Sequence, residues 1–236
     1  MYGTYNVPFS IKENDLSIEV SKASYGFCYT RQIADKPPVE KIILSNKSRI
    51  IINPVEPLNH PKHITNYLLL EFDRTLSIAP HRQESFYATF PIEIGVFIFK
   101  KQDFEPFDDI SLVPSKYSLY GDPRNGIVTR YHKSSIYADI PQVNLLHQGI
   151  VHVTVKNTDT QWNTISKIVF NAYAMKLYYN DKLVQLYATM KITNEITAET
   201  DCYAPQSEKG FKKAMELYKS RKLAMLSTKF VMMEGL

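Results

Sequence analysis

One run of residues, FPIEIGVFIFK from Phe90 to Lys100, most constrains what this chain can become. Ile92, Ile94, Val96 and Ile98 alternate with Glu93, Gly95, Phe97 and Phe99, so one face is aliphatic and the other mixed. β-Branched and aromatic residues dominate, and about eight of them in succession suit a core strand better than a helix. Gly95 inside the run points to a bulge or to the close approach of another backbone. Glu93 sets a carboxylate on a largely buried strand, where it must be paired, hydrogen-bonded or neutral. A structural ion pair is the plainer reading. A general acid needs a second carboxylate nearby, and the spacing supplies none.

Downstream, Asp122-Pro123-Arg124-Asn125-Gly126 describes a tight hairpin: Asp opens the turn, Pro fixes φ, and Asn-Gly tolerates left-handed φ. Tyr117, Leu119 and Tyr120 precede it; Ile127, Thr129 and Tyr131 alternate with Val128, Arg130 and His132 after it. Lys116, Arg124, Arg130 and Lys133 are opposed locally only by Asp122. Tyrosine with cations on a protruding hairpin is the composition of a contact surface for protein or nucleic acid. The same tyrosines also fit half-buried strand positions with solvated hydroxyls. Alternation puts Arg130 and Tyr131 on opposite faces, so one of the two is structural if the strand is regular.

At 236 residues the chain can bury a real core, as one large all-β domain or two sandwich-sized ones. Sixteen Tyr and twelve Phe against one Trp and eight Gly favour many strands over nucleotide-binding loops. Short alternating segments recur from Leu16 to Val20, Tyr25 to Tyr29, Val39 to Leu44 and Arg49 to Ile52, the last two flanking Ser45-Asn46-Lys47-Ser48, a turn by composition. A triple-proline loop then leads from Asn53 to Pro61 and cannot hold a central strand. Ile140-Pro141 and the polar NLLHQG mark the expected boundary between an N-terminal β-sandwich-like domain, 1–140, and a C-terminal one, 141–236. From Gly149 onward, short strands separated by Asn/Asp/Thr turns repeat the sandwich pattern. Trp162 reads as a lid on that core.

The one expected helix covers Ser207–Lys222. Ser207 and Glu208 open it, and Phe211, Ala214, Met215 and Tyr218 mark an apolar stripe. Residues 1–205 hold 21 Lys+Arg and 21 Asp+Glu, whereas residues 206–236 hold 7 and 3, so the formal net charge of +4 sits in this tail. Lys212, Lys213, Lys219, Arg221 and Lys222 are therefore candidate contacts for an anionic partner, together with Tyr120, Arg124, Arg130, Tyr131 and Lys133 on the hairpin. The alternative is a helix packed on a sheet with a solvated basic face.

Other chemistry is sparse. Cys28 and Cys202 are too few for a disulfide framework or zinc cage, though a single bridge between them stays open. His60 and His63, with Glu56 and His81, have only weak metal-ligand spacing, and no metal or cofactor is assigned. There is no GxxxxGK[ST], GxGxxG, HExxH or GxSxG. No apolar run reaches the roughly 18 residues of a membrane span. MYGTYNVPFS lacks the regions of a signal peptide, so a cytosolic location is expected.

MYGTY, INPVEPLNHPKHITNYLLLEF, FPIEIGVFIF, YSLYGDPRNGIVTRY and ISKIVFNAYAMKLYY together resemble the family known as domain of unknown function 432. The resemblance covers nearly the whole chain, and YGDPRNG is its most specific part. It implies an all-β fold and an archaeal, cytosolic origin, along with an association with mechanosensitive-channel-like proteins, fused or neighbouring. It transfers no catalytic residues. The expectation is a non-catalytic binding or regulatory protein that engages RNA, a ribosomal surface or another protein, a second copy included. A ligand-sensing or channel-accessory domain is the second reading. A hydrolytic enzyme with a dispersed site is the third.

Overall fold

The computed structural model describes residues 1–45, 48–60, 64–100, 103–205, 210–217 and 229–236. Alternating apolar segments take the form that their period dictates. From the N-terminus come β1 (Gly3–Asn6), β2 (Phe9–Glu13), β3 (Leu16–Ala23), β4 (Gly26–Ile33), β5 (Val39–Ile43) and β6 (Arg49–Val55). The longer β7 (Tyr67–Ile78), β8 (Gln83–Pro91), β9 (Glu93–Lys100) and β10 (Asp103–Ile110) follow, then the pair β11 (Tyr117–Tyr120) and β12 (Ile127–Ser134). The remainder forms β13 (Gln148–Asn157), β14 (Asn163–Asn171), β15 (Tyr178–Tyr179), β16 (Val184–Asn194), β17 (Thr197–Tyr203), β18 (Lys212–Lys213) and β19 (Phe230–Met232). A single 3-10 turn, Ala172–Ala174, is the helical content of the described residues.

The chain forms two compact units, Met1–Asn53 with Ile94–Leu112, and Pro54–Glu93 with Val113–Leu236. In the first, the meander β2-β3-β4-β5 and the sheet β1-β6-β9-β10 make a sandwich. Leu16, Ile18, Val20, Phe27 and Tyr29 from one sheet, and Ile50, Ile52, Ile94, Val96 and Ile110 from the other, are buried. Asp108 ties the sheets together: it accepts from the Tyr29 hydroxyl at 2.8 Å and pairs with Lys41 at 2.6 Å and Arg31 at 3.0 Å. Burial, reinforced by Asp108, pushes the Tyr29 hydroxyl far above its ordinary range. The bulge expected at Gly95 lies instead on the neighbouring strand, where the register shifts between Pro106 and Asp108. The extra residue there, Phe107, meets the Tyr29 ring edge-on at 5.2 Å.

In the second unit, β11-β12-β7-β14 makes one sheet and β18-β15-β16-β13-β8 the other, extended by β17 on β16 and β19 on β17. Two pairings, β12 with β7 and β13 with β16, are parallel; the remaining registered pairings are antiparallel. Phe72 and Phe86 meet edge-on at 5.4 Å, and the Thr200 hydroxyl donates to the Val169 carbonyl at 2.5 Å, so side chains of the two sheets interlock.

Several expectations change here. The division anticipated near residues 140–149 falls inside the second unit, because β8 pairs with β13 from Pro91↔Gln148 to Gln83↔Lys156. A polar, proline-bearing connection reads the same whether it joins two domains or two strands of one sheet. The C-terminal helix is not formed over residues 210–217. Gly210 sits at φ +85°, outside helical space, and Lys212–Lys213 pairs with Tyr178–Tyr179 at the sheet edge. The rest of the anticipated helix, including Lys219, Arg221 and Lys222, lies outside the described residues. Trp162 is 67% exposed rather than a lid on the core. Cys28 and Cys202 are free thiols.

Candidate binding face

The hairpin cations and tyrosines divide into buried and exposed sets. Arg130 is buried, with only 4% of its surface accessible. Its guanidinium pairs with Glu93 at 2.8 Å and donates to the carbonyls of Pro57 and His60 and to the Ser115 hydroxyl. The second Glu93 oxygen accepts from the Asn59 backbone N–H at 2.9 Å. Burial raises the Glu93 carboxyl above its usual range, against the opposing pull of Arg130 and Asn59. The acid and the cation singled out separately in the sequence thus satisfy each other, and Arg130 is withdrawn from the set of partner contacts. Tyr120 is withdrawn as well. It is buried, donates to the Gly235 carbonyl at 3.0 Å and accepts from the Glu234 N–H at 3.1 Å.

Arg124 and Lys133 are exposed, and Tyr131 is half-buried, its hydroxyl raised by burial and by a hydrogen bond to Glu71. The Arg124 backbone is fixed by the turn, where Asp122 accepts from the N–H groups of Arg124 at 2.7 Å and Asn125 at 3.3 Å. Lys212 and Lys213 are exposed on β18, and Lys213 pairs with Glu216 at 2.9 Å. The seven of the ten expected contacts that fall among the described residues are therefore not gathered into one surface.

The structure gathers another set instead. On β8, β13, β16 and β17 the registers Tyr87↔His152, His152↔Tyr187 and Tyr187↔Tyr203 place four aromatic rings in one line across four strands. Their centroids are 5.0, 5.9 and 5.9 Å apart in sequence across the sheet. Tyr137 continues the line at the β8 edge through a two-way backbone bridge with Tyr87. Residues of the opposite parity, Phe86, Ala88, Val151, Val153, Leu186 and Ala188, are buried, so the aromatic line lies on the other face of the sheet. Tyr87, His152 and Tyr187 are half-buried and Tyr203 is exposed. Burial lowers the His152 imidazole below its ordinary range, which keeps it neutral near neutral pH.

Two residues further along the strands, the same face carries Ser85, Thr154, Thr189 and Asp201 in register, with Ser85 and Thr154 hydroxyls 3.2 Å apart. Two residues beyond, Gln83, Lys156, Lys191 and Glu199 form the next line. Lys156 and Lys191 stand opposite each other on paired strands, are both exposed, and form no ion pair among the described residues. Glu199 is held by Lys229 at 2.6 Å. The face is thus striped: an aromatic line, a hydroxyl line that ends in Asp201, and a line whose two lysines stand between Gln83 and Glu199.

Alternation in the sequence tells which side chains share a face within one strand. It does not give the register that aligns residues as distant as Tyr87 and Tyr203, which is why this face is not visible in the sequence. Among the described residues, no group of three or more His, Cys, Asp or Glu is arranged to hold a metal ion; His63 lies outside them. No described helix is long and apolar enough to cross a membrane.

Fold and face together define an all-β protein of antiparallel-rich sandwiches with a striped aromatic and polar sheet surface. The chain belongs to the family described as protein of unknown function (DUF432), whose model matches residues 1–234. Comparison with curated proteins finds no match, and neither does comparison with solved structures.

Proposed function

We propose that this protein is a non-catalytic binding protein that engages an anionic macromolecule, RNA or a ribosomal surface, through the striped face of its larger sheet. The observation that carries this reading is the Lys156–Lys191 pair. Like charges directly opposite on neighbouring strands repel and destabilise a sheet. Here they stand exposed and form no ion pair among the described residues, the acid in register with Lys191, Glu199, being held by Lys229 at 2.6 Å, and they lie beside a line of hydroxyls and a line of aromatic rings. An anion spanning both ammonium groups relieves the repulsion, and a phosphate backbone is such an anion. The partner class fits a cytoplasmic protein. Arg124 and Lys133 remain exposed cations that add to long-range attraction without belonging to this face.

Co-sedimentation with ribosomes and retention on immobilised RNA test the reading. The combined Lys156→Ala and Lys191→Ala variant is expected to bind more weakly and to lower the slope of log affinity against log salt by about 1.4, the value for two lost contacts on a single strand. Its melting temperature should stay the same or rise, since a repulsion is removed. Failure of the unaltered protein to bind RNA or ribosomes at low salt contradicts the proposal.

A further inference from the structure

Resting on that reading, we infer that the aromatic line is a base-stacking platform and that the ligand is single-stranded RNA lying across the strands. Three features of the face argue for this occupant. First, the ring centroids follow one another at 5.0, 5.9 and 5.9 Å across four strands, a continuous run of aromatic surface on which successive bases of a single strand can stack. Successive rings are tilted by 42°, 71° and 53° rather than stacked flat, and each of the four residues keeps part of its surface exposed. Secondly, two residues of strand advance about 6.6 Å, so the hydroxyl line stands one step from the rings and the lysine line two steps. That order, from ring to hydroxyl to cation, is the order of base, ribose and phosphate in a nucleotide. Thirdly, Ser85, Thr154 and Thr189 can each donate and accept, which suits the 2′-hydroxyl of ribose.

Duplex RNA does not fit this surface, because its bases are stacked on one another and unavailable to tyrosine faces. His152 belongs in the middle of the line as a neutral ring. Flanked by Tyr87 and Tyr187, it offers a planar face to a base without needing a charge. Asp201 and Glu199 at the β17 end disfavour a phosphate there, so the bound strand ends at Tyr203, whose ring takes the terminal base, while the phosphates lie over Lys156 and Lys191.

Fluorescence anisotropy with oligouridylates of two to eight nucleotides, at fixed low salt, reads the site directly. Affinity is expected to rise with length up to about four or five nucleotides and then level off. Tyr187→Leu and Tyr203→Leu are each expected to weaken binding of the longer oligomers roughly tenfold, whereas Tyr187→Phe, which keeps the ring, should bind nearly as the unaltered protein does. Tyr203 is at the exposed end of the line, so its replacement also provides a variant whose fold is little disturbed. A ribose-phosphate oligomer of equal length without bases separates the two levels of the claim. Weak binding of this abasic strand, unchanged by the tyrosine substitutions, supports base stacking. Abasic and base-bearing strands binding equally well would overturn base stacking while leaving the anionic-partner reading standing. If neither binds, both are wrong. Tyrosine-dependent binding of a neutral oligosaccharide in place of the oligouridylate would also overturn the inference.

Discussion

Arg130 and Glu93 form a buried pair whose members cannot be removed separately without leaving a charge stranded. Only 4% of Arg130 and 1% of Glu93 is accessible, and backbone carbonyls, a hydroxyl and the Asn59 N–H complete their hydrogen bonding. Arg130→Ala is therefore expected to cost about 3–5 kcal/mol in denaturant unfolding, well beyond the loss of one ordinary contact. The double variant Arg130→Met with Glu93→Gln should recover much of that loss, since no bare charge then remains. A loss below about 1 kcal/mol for Arg130→Ala, the range of surface pairs, would show the pair to be solvated. His132 supplies a pH dependence at the same scale. Burial, with Lys116 adding, lowers its imidazole to about 4. Thr89 Oγ1, which donates to Ser134 at 3.1 Å, accepts from the neutral His132 Nε2–H at 3.0 Å. Because the folded state resists protonation, its stability is full above the ordinary imidazole range and is lost as pH falls from about 6.5 to about 4. Thermal unfolding between pH 4 and 7 should show this loss, at most about 3 kcal/mol, and His132→Gln should flatten it.

At the scale of elements, β9 and the β8–β13 pair are where sequence and packing agree most closely. Ile94 and Val96 are fully buried in the first unit, as a core strand from Ile92 to Phe99 requires, and Phe97 of the opposite parity is buried with them. Ile94→Ala should cost roughly 2–5 kcal/mol, and a loss under about 0.5 kcal/mol would put that side chain outside the core. Gly149 faces Phe90 across the β8–β13 pair, and a Cβ there would stand 2.6 Å from the Phe90 ring and 3.2 Å from the Val184 carbonyl. Since Phe90 is itself buried, Gly149→Ala is expected to destabilise by about 1–3 kcal/mol through overpacking. Strand positions were legible because period-two alternation is local: Leu16, Ile18 and Val20, or Val151, Val153 and Val155, declare their face without reference to anything distant. The tail misled for the same reason. Phe211, Ala214 and Met215 carry a helical spacing, but Gly210 at positive φ and the edge of β15 decide the local structure, and neither is visible as periodicity.

At the scale of the molecule, the legibility of function differs from that of fold. The sequence drew attention to the hairpin because tyrosine and cations lie close together there in the chain. Folding buried Tyr120 and Arg130 in structural roles and left Arg124 and Lys133 exposed. The striped face is assembled from residues more than a hundred positions apart, Ser85 to Tyr203, and exists only through the parallel β13–β16 and antiparallel β8–β13 and β16–β17 registers. Nothing local in Tyr87, His152, Tyr187 or Tyr203 marks them as neighbours. Photo-crosslinking of a thiouridine-substituted oligouridylate to the full chain, read by peptide mass spectrometry, tests the central claim most directly. Crosslinks are expected on Tyr87, His152, Tyr187 and Tyr203 and should be competed away by unmodified oligouridylate. Specific crosslinks confined to the hairpin around Arg124 and Lys133, or to Lys212 and Lys213, would contradict the account.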